Sequence, residues 1–138
     1  MLIHSFEYKK IVSTEDVAKI FQEILRVEDV IDQDKEHLWV MGLTVSKLIK
    51  YIELVSLGSL TETLSHPREI FRFAIMQSVD SIIAVHNHPG GDVSPSIPDI
   101  NMMNRIKEAG KILGIHLIDS IIVKDDRYYS FLDNNLLK

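Results

Sequence analysis

The chain has 138 residues, 46% of them apolar and 25% charged, which suits one domain large enough to bury a real core. It contains no cysteine, so disulfides, thiolate metal sites and cysteine nucleophiles are excluded together; any metal must be held by His, Asp, Glu or water. The net charge of -5, with no cluster of Lys and Arg, gives little support to nucleic-acid binding, and no apolar run approaches the roughly eighteen residues of a membrane span.

The opening stretch MLIHSFEYKK has no basic leader followed by an apolar core, so no signal peptide is expected, and the lack of cysteine fits a reducing, cytoplasmic location. Ser13 followed by Asp16 resembles a capping box, and Val17, Ile20, Phe21, Ile24 and Leu25 then fall on one face of a helix that should end near residues 27–30. HLWVMGLTV (37–45) and LIKYIELVSL (48–57) read as two strands of a hairpin turning near Ser46 and Lys47. HPREIFRFAIMQS (66–78) reads as a helix with Pro67 in its first turn, where a missing N–H is harmless.

SIIAVHN (81–87) is a short apolar run, hence a buried strand. Residues 97–113 form a helix with Ile100, Met103, Ile106, Ala109 and Leu113 inward, and Gly114 just past its end suits a left-handed cap. IHLIDSIIV (115–123) and RYYSFL (127–132) complete the strands. Met76, Met102 and Met103 read as core filling, and Trp39 as buried in its strand. His4, His37 and His116 have no matched partners and read as surface or strand-edge residues.

The segment AVHNHPGGDVSPSIPDI (84–100) sits where the strand at 81–87 meets the following helix, the place where ligands gather in strand–helix–strand units. Side chains two apart on a strand share a face, so His86 and His88 converge with Cα atoms roughly 6.6 Å apart, while Asn87 faces the other way. Asp99, in the first helical turn, is placed to supply a third ligand, and the helix amino end favours its ionised form. Two imidazoles and a carboxylate leave the fourth position of a tetrahedral zinc open to water, whose pKa then falls to about 7. A carboxylate base beside that water and a hydroxyl donor for the oxyanion would complete a hydrolytic site. Short H-x-H strings also arise by chance, and Ser96 with Asp99 is equally a plain helix cap.

His86-Asn87-His88-Pro89 followed by Ser96 and Asp99 resembles the H-x-H-P-x(6)-S-x-x-D signature of the JAMM (JAB/MPN) zinc metallopeptidases, in the form found in the RadC-type branch. GSLTETLSHPREIF (58–71) and GIHLIDSIIVKDDRYYSF (114–131) are similar to the same branch, so the resemblance spans about residues 14–132. It implies an α/β fold of JAB/MPN type: three layers like those of cytidine deaminase, with a mixed central sheet flanked by helices. A single such domain over 1–138 is expected, without the amino-terminal helix-hairpin-helix region of longer relatives. The resemblance further implies one Zn2+ per chain on His86, His88 and Asp99, with Ser96 steadying the tetrahedral intermediate. The family's base glutamate opens the strand after the first helix, which points to Glu36 in EHLWVMGL; Glu53 in YIELV is the rival.

Two positions depart from the branch: Ser120 stands where relatives often have His, and Lys124-Asp125-Asp126 replaces a Gly-containing turn. His66, Arg68 and Glu69 read either as a charged helix start or as a substrate contact, with Arg68 suited to a carboxylate. The function implied is hydrolysis of an amide or isopeptide bond in a peptide or protein substrate, with no membrane partner. A non-catalytic JAB module that binds a protein is the alternative, and a DNA-associated role follows only from the family's name. An HNH nuclease would spread its histidines over a finger instead of one strand, and base deaminases need cysteine ligands.

Overall fold

A computed structural model of the chain describes residues 1–58 and 66–137, so residues 59–65 of the GSLTETLSHPREIF match lie outside the described residues. The elements run β1 (Leu2–Ile3), α1 (Thr14–Arg26), α2 (Val30–Gln33), β2 (His37–Leu43), β3 (Ile49–Leu57), α3 (Pro67–Met76), β4 (Ser81–Asn87), α4 (Ile97–Leu113), β5 (His116–Lys124) and β6 (Arg127–Ser130). The strands form one mixed sheet in the order β1-β3-β2-β4-β5-β6. β2 and β4 are buried at every residue, which is why they read as continuous apolar runs and not as alternating ones. β2 and β3 form the antiparallel hairpin, β4 runs antiparallel to β2, and β4 pairs in parallel with β5 after the α4 crossover.

The outer edge of β3 is lined by the amino-terminal segment. Met1 accepts from Leu54 N–H at 2.8 Å, β1 pairs with Ile52 and Glu53, and Lys9 accepts from Ile49 N–H at 2.9 Å. Tyr8 N–H returns a bond to the Ile49 carbonyl at 2.7 Å, and Lys10 bridges to Leu48.

Because strand side chains alternate, the sheet presents two apolar faces and needs a helical layer on each. Leu38, Val40, Ile82, Ala84 and Ile122 pack with Ile70, Phe71 and Ala74 of α3 and Met103 and Ile106 of α4. Trp39, Met41, Ile83, Val85 and Ile121 face the other way, onto Val17, Ile20, Phe21 and Ile24 of α1. Each such fully buried large side chain contributes about 1.5–3 kcal/mol. The result is the three-layer α/β arrangement expected from the sequence. No helix among the described residues is long and apolar enough to cross a membrane.

The helices begin and end as their sequences dictate. Ser13 and Ser96 each close a capping box, with Asp16 and Asp99 respectively, and Gly114 ends α4 in the left-handed region at φ 73°. Two expected core residues are not core. Met76 is 68% exposed because it lies two residues, about 200°, round the helix from the inward Ala74. Leu113 is 45% exposed: Gly110 closes the inward line of α4 against the backbone of Ile115, and Leu113 joins Ile75 and Ile112 along an outer groove between α3 and α4. β1 and the single turn of α2 were not expected from the sequence.

Candidate metal centre

The ligand set is built from one strand end and one helix start. His86 lies next to last in β4, His88 one residue beyond it, and the Pro89–Pro98 stretch brings the chain back so that Asp99 stands in the first turn of α4. His86 Nε2 lies 3.1 Å from Asp99 Oδ1, and His88 Nε2 lies 3.0 Å from Asp99 Oδ2. The ring centroids are 5.2 Å apart, and ligand atoms of all three residues fall within 4.8 Å of one another. His86 is 1% exposed, so one imidazole is fully desolvated while His88 remains accessible.

Tautomers decide whether these atoms can bind a cation. His88 Nδ1 sits 2.9 Å from the carbonyl oxygen of Asp92, which can only accept, so Nδ1 carries a proton and donates. In the neutral ring Nε2 then presents a lone pair to the Asp99 carboxylate. Two lone pairs at 3.0 Å repel unless positive charge, a proton or a metal ion, lies between them. The donor chemistry therefore fits a divalent metal. Burial raises the pKa of Asp99, but hydrogen bonds from His86 and Ser96 and the charge on His86 outweigh it and hold the carboxyl well below its usual range. Asp99 is thus the anionic ligand the site needs.

Ser96 is the N-cap of α4, and its Oγ accepts from the Asp99 N–H at 3.2 Å. The structure therefore brings His86, His88, Asp99 and Ser96 together. For the base, the two candidate glutamates occupy different places relative to the ligand strand: Glu36 immediately precedes β2 and Glu53 lies within β3. Leu38 and His86 form the last pair between β2 and β4, and Glu36 stands two residues before Leu38, just ahead of β2, at the end of the sheet from which His88 extends. Glu53 pairs with Val40, which pairs with Ala84, so Glu53 stands two strands from β4 and one pleat repeat back from His86. It is buried, with Oε2 3.8 Å from Arg72 Nη2, and burial raises its pKa.

Ser120 lies beside Ala84 on β5, on the same face as His86. Its Oγ and the Nδ1 of His86 are both buried and make no hydrogen bond with a described residue. Arg68 is exposed at the start of α3, 3.8 Å from Glu69, and the His66 side chain caps that helix by accepting from Arg68 N–H at 3.0 Å. His4 and His116 are exposed as expected. His37 is a correction: it is fully buried, stacked on Trp39 with ring centroids 4.8 Å apart, and its Nε2 closes on the Glu28 carboxylate. Its burial follows from the pairing of β2 between two strands, and no local pattern announces it.

Comparison with known proteins covers nearly the whole chain. A family model described as the RadC-like JAB domain matches residues 11–136. The chain is 49% identical over 106 residues to a UPF0758 protein of Chlorobaculum parvum, covering 77% of this chain and 48% of that one. It is 42% identical over 130 residues to a UPF0758 protein of Methanosarcina mazei, covering 94% of this chain and 55% of that one. A UPF0758 protein of Caldanaerobacter subterraneus is 42% identical over 139 residues, with 95% and 58% covered. The chain spans about half the length of the curated relatives it matches.

Proposed function

Because this chain belongs to the RadC-like JAB domain family, we propose that it is a zinc-dependent hydrolase of the JAMM type that cleaves an amide or isopeptide bond in a peptide or protein. The single observation that carries the reading is the convergence of His86 Nε2 and His88 Nε2 on the two oxygens of Asp99, at 3.1 and 3.0 Å. Two imidazole nitrogens and one carboxylate suit a tetrahedral zinc with one open position. When bound, zinc supplies the Lewis acidity that makes water nucleophilic near neutral pH.

The chain's own groups do the rest. Glu36 takes a proton from the attacking water at its carboxylate and delivers it to the leaving nitrogen. Ser96 Oγ accepts from Asp99 N–H, which leaves its own proton to donate to the carbonyl oxygen as negative charge grows there. The Asp92 carbonyl holds His88 in the ligating tautomer. The net charge of -5 favours a peptide over a polyphosphate chain as the substrate.

The test joins metal analysis to turnover. Purified protein is expected to carry near-stoichiometric zinc and His88→Ala little. Glu36→Gln is expected to keep the metal while turnover of peptide or isopeptide substrates falls about 10²–10⁴-fold. Equal zinc in parent and His88→Ala would sink the metal assignment. The same loss in Glu53→Gln, with Glu36→Gln active, would move the base to Glu53. A zinc-loaded parent that turns over no peptide or isopeptide would favour the non-catalytic binding module.

A further inference from the structure

The residue between the two imidazoles points away from the metal ligands and is not idle. Asn87 ends β4 and is buried. Its Oδ1 accepts from the His37 N–H at 2.6 Å, and its Nδ2 donates to the Lys35 carbonyl oxygen at 3.0 Å. Those two backbone groups belong to the peptide units on either side of Glu36. The orientation of the carboxamide is dictated by its partners: an N–H only donates and a carbonyl only accepts, so the flipped amide would meet both wrongly.

Other contacts tighten the same grip. His37 Nδ1 donates to the Lys35 carbonyl at 2.8 Å while its Nε2 faces the Glu28 carboxylate. The carbonyl of Glu36 itself accepts from Gly58 N–H at 2.9 Å. The backbone ladder between β2 and β4 ends at Leu38 and His86, and the Asn87 side chain continues it as far as Glu36.

We propose that Asn87 is a positioning residue: from the strand that carries both histidine ligands, its carboxamide holds both peptide units flanking Glu36 and so sets where the Glu36 carboxylate stands relative to the metal. The proposal rests on the reading of Glu36 as the base. Its logic is that one side chain ties base and ligands into a single rigid unit, and a displacement of about 1 Å in such a unit costs about 10²-fold in rate. Asp at position 87 keeps the acceptor for His37 N–H and loses the donor for Lys35; Ala loses both.

The test compares Asn87→Ala, Asn87→Asp and Glu36→Gln with the parent. In metal-free protein, amide hydrogen exchange at His37 is expected to quicken about tenfold in Asn87→Ala, the size expected for one lost hydrogen bond, and to change little in Asn87→Asp. Exchange at Val40 and Ala84 stays at the parent's rate in both. Loaded with cobalt as a spectroscopic probe, Asn87→Ala is expected to bind as much metal as the parent. The pH midpoint of its visible absorption should move in the same direction as in Glu36→Gln, with Asn87→Asp between. If Glu36→Gln moves the midpoint and neither Asn87 variant does, the proposal is overturned and the base reading stands. If Glu36→Gln leaves the midpoint in place, the base reading fails and takes the proposal with it. Loss of cobalt from Asn87→Asp with normal His37 exchange would assign Asn87 to the ligand strand alone, against the proposal. Should Asn87→Ala not fold, Asn87→Asp decides: a midpoint equal to the parent's overturns the proposal.

Discussion

Ser96 and Asp99 hold each other by two reciprocal hydrogen bonds: Asp99 N–H donates to Ser96 Oγ at 3.2 Å, and Ser96 N–H donates to Asp99 Oδ2 at 2.8 Å. The same Oδ2 lies 3.0 Å from His88 Nε2. One carboxylate therefore both starts α4 and serves the metal centre, and the helix amino end that it caps stabilises its charge in return.

That double duty can be separated at Ser96. Replacing an N-cap serine by Ala costs about 1 kcal/mol, whereas Gly at the same position costs only a few tenths. Ser96→Ala is expected to lose stability and turnover together, and Ser96→Gly to keep its unfolding midpoint near the parent's while losing turnover. Urea unfolding beside a peptide-cleavage assay reads both. Full turnover in Ser96→Gly would remove the hydroxyl from the chemistry.

Metal binding should be visible as folding stability. A ligand held only by the native state at about a hundred times its Kd adds about 2.7 kcal/mol, so zinc is expected to raise the melting temperature of the parent and a chelator to reverse the rise. His86→Ala and Asp99→Asn remove a ligand each and should show no zinc-dependent shift. Calorimetric scans with and without zinc check this; an equal shift in the Asp99→Asn variant would mean that zinc binds elsewhere.

Glu53 gives a pH dependence with a definite sign. Burial raises its carboxyl pKa, against the opposing pull of the amino-terminal ammonium and Arg72. As pH rises, the unfolded chain releases this proton before the folded one does. The stability contributed by the neutral side chain is therefore full below the unfolded pKa, about 4.3, and is lost as pH passes through the raised folded value. Glu53→Gln cannot ionise, so its stability relative to the parent is expected to climb between pH 4 and 8. Urea midpoints across that range give the answer, and a flat or falling difference would contradict it.

Gly110 tests packing against propensity. In an exposed helix Gly→Ala gains about 1 kcal/mol, but a Cβ here would press on the carbonyl oxygen of Ile115, which is backbone and cannot swing away. Gly110→Ala is expected to be net destabilising by about 1–3 kcal/mol, the usual range for overpacking. A rise in the denaturation midpoint would show that α4 can lift off the sheet at little cost.

Much of the site was legible because it is local. One strand end, one loop and one helical turn carry His86, His88, Ser96 and Asp99, so spacing alone brings them within reach. The limits of β4 and α4 coincide with the segments 81–87 and 97–113 expected from their apolar pattern. What spacing could not show depends on which strands become neighbours. Asn87 reaches His37 and Lys35, about fifty residues earlier, only once β2 has paired with β4. Glu36 and Glu53 were hard to rank because one flanks and the other lies in the β2–β3 hairpin, and local spacing says nothing of how far each stands from β4. β1 has two residues and α2 four, too few for a period to register. Met76 and Leu113 carry apolar side chains on helices whose inward line was set by neighbours, not by their own sequence.

The bonds from Met1, Tyr8 and Lys9 to β3, with the pairing of Leu2 and Ile3, mean that this strand's outer margin is already taken between Ile49 and Leu54. A variant beginning after Ile11 would bare unsatisfied amides and carbonyls of β3 between Ile49 and Leu54. Such a margin recruits whatever extended chain is at hand, so the shortened protein is expected to stack into multimers through β-strand addition, which light scattering would reveal.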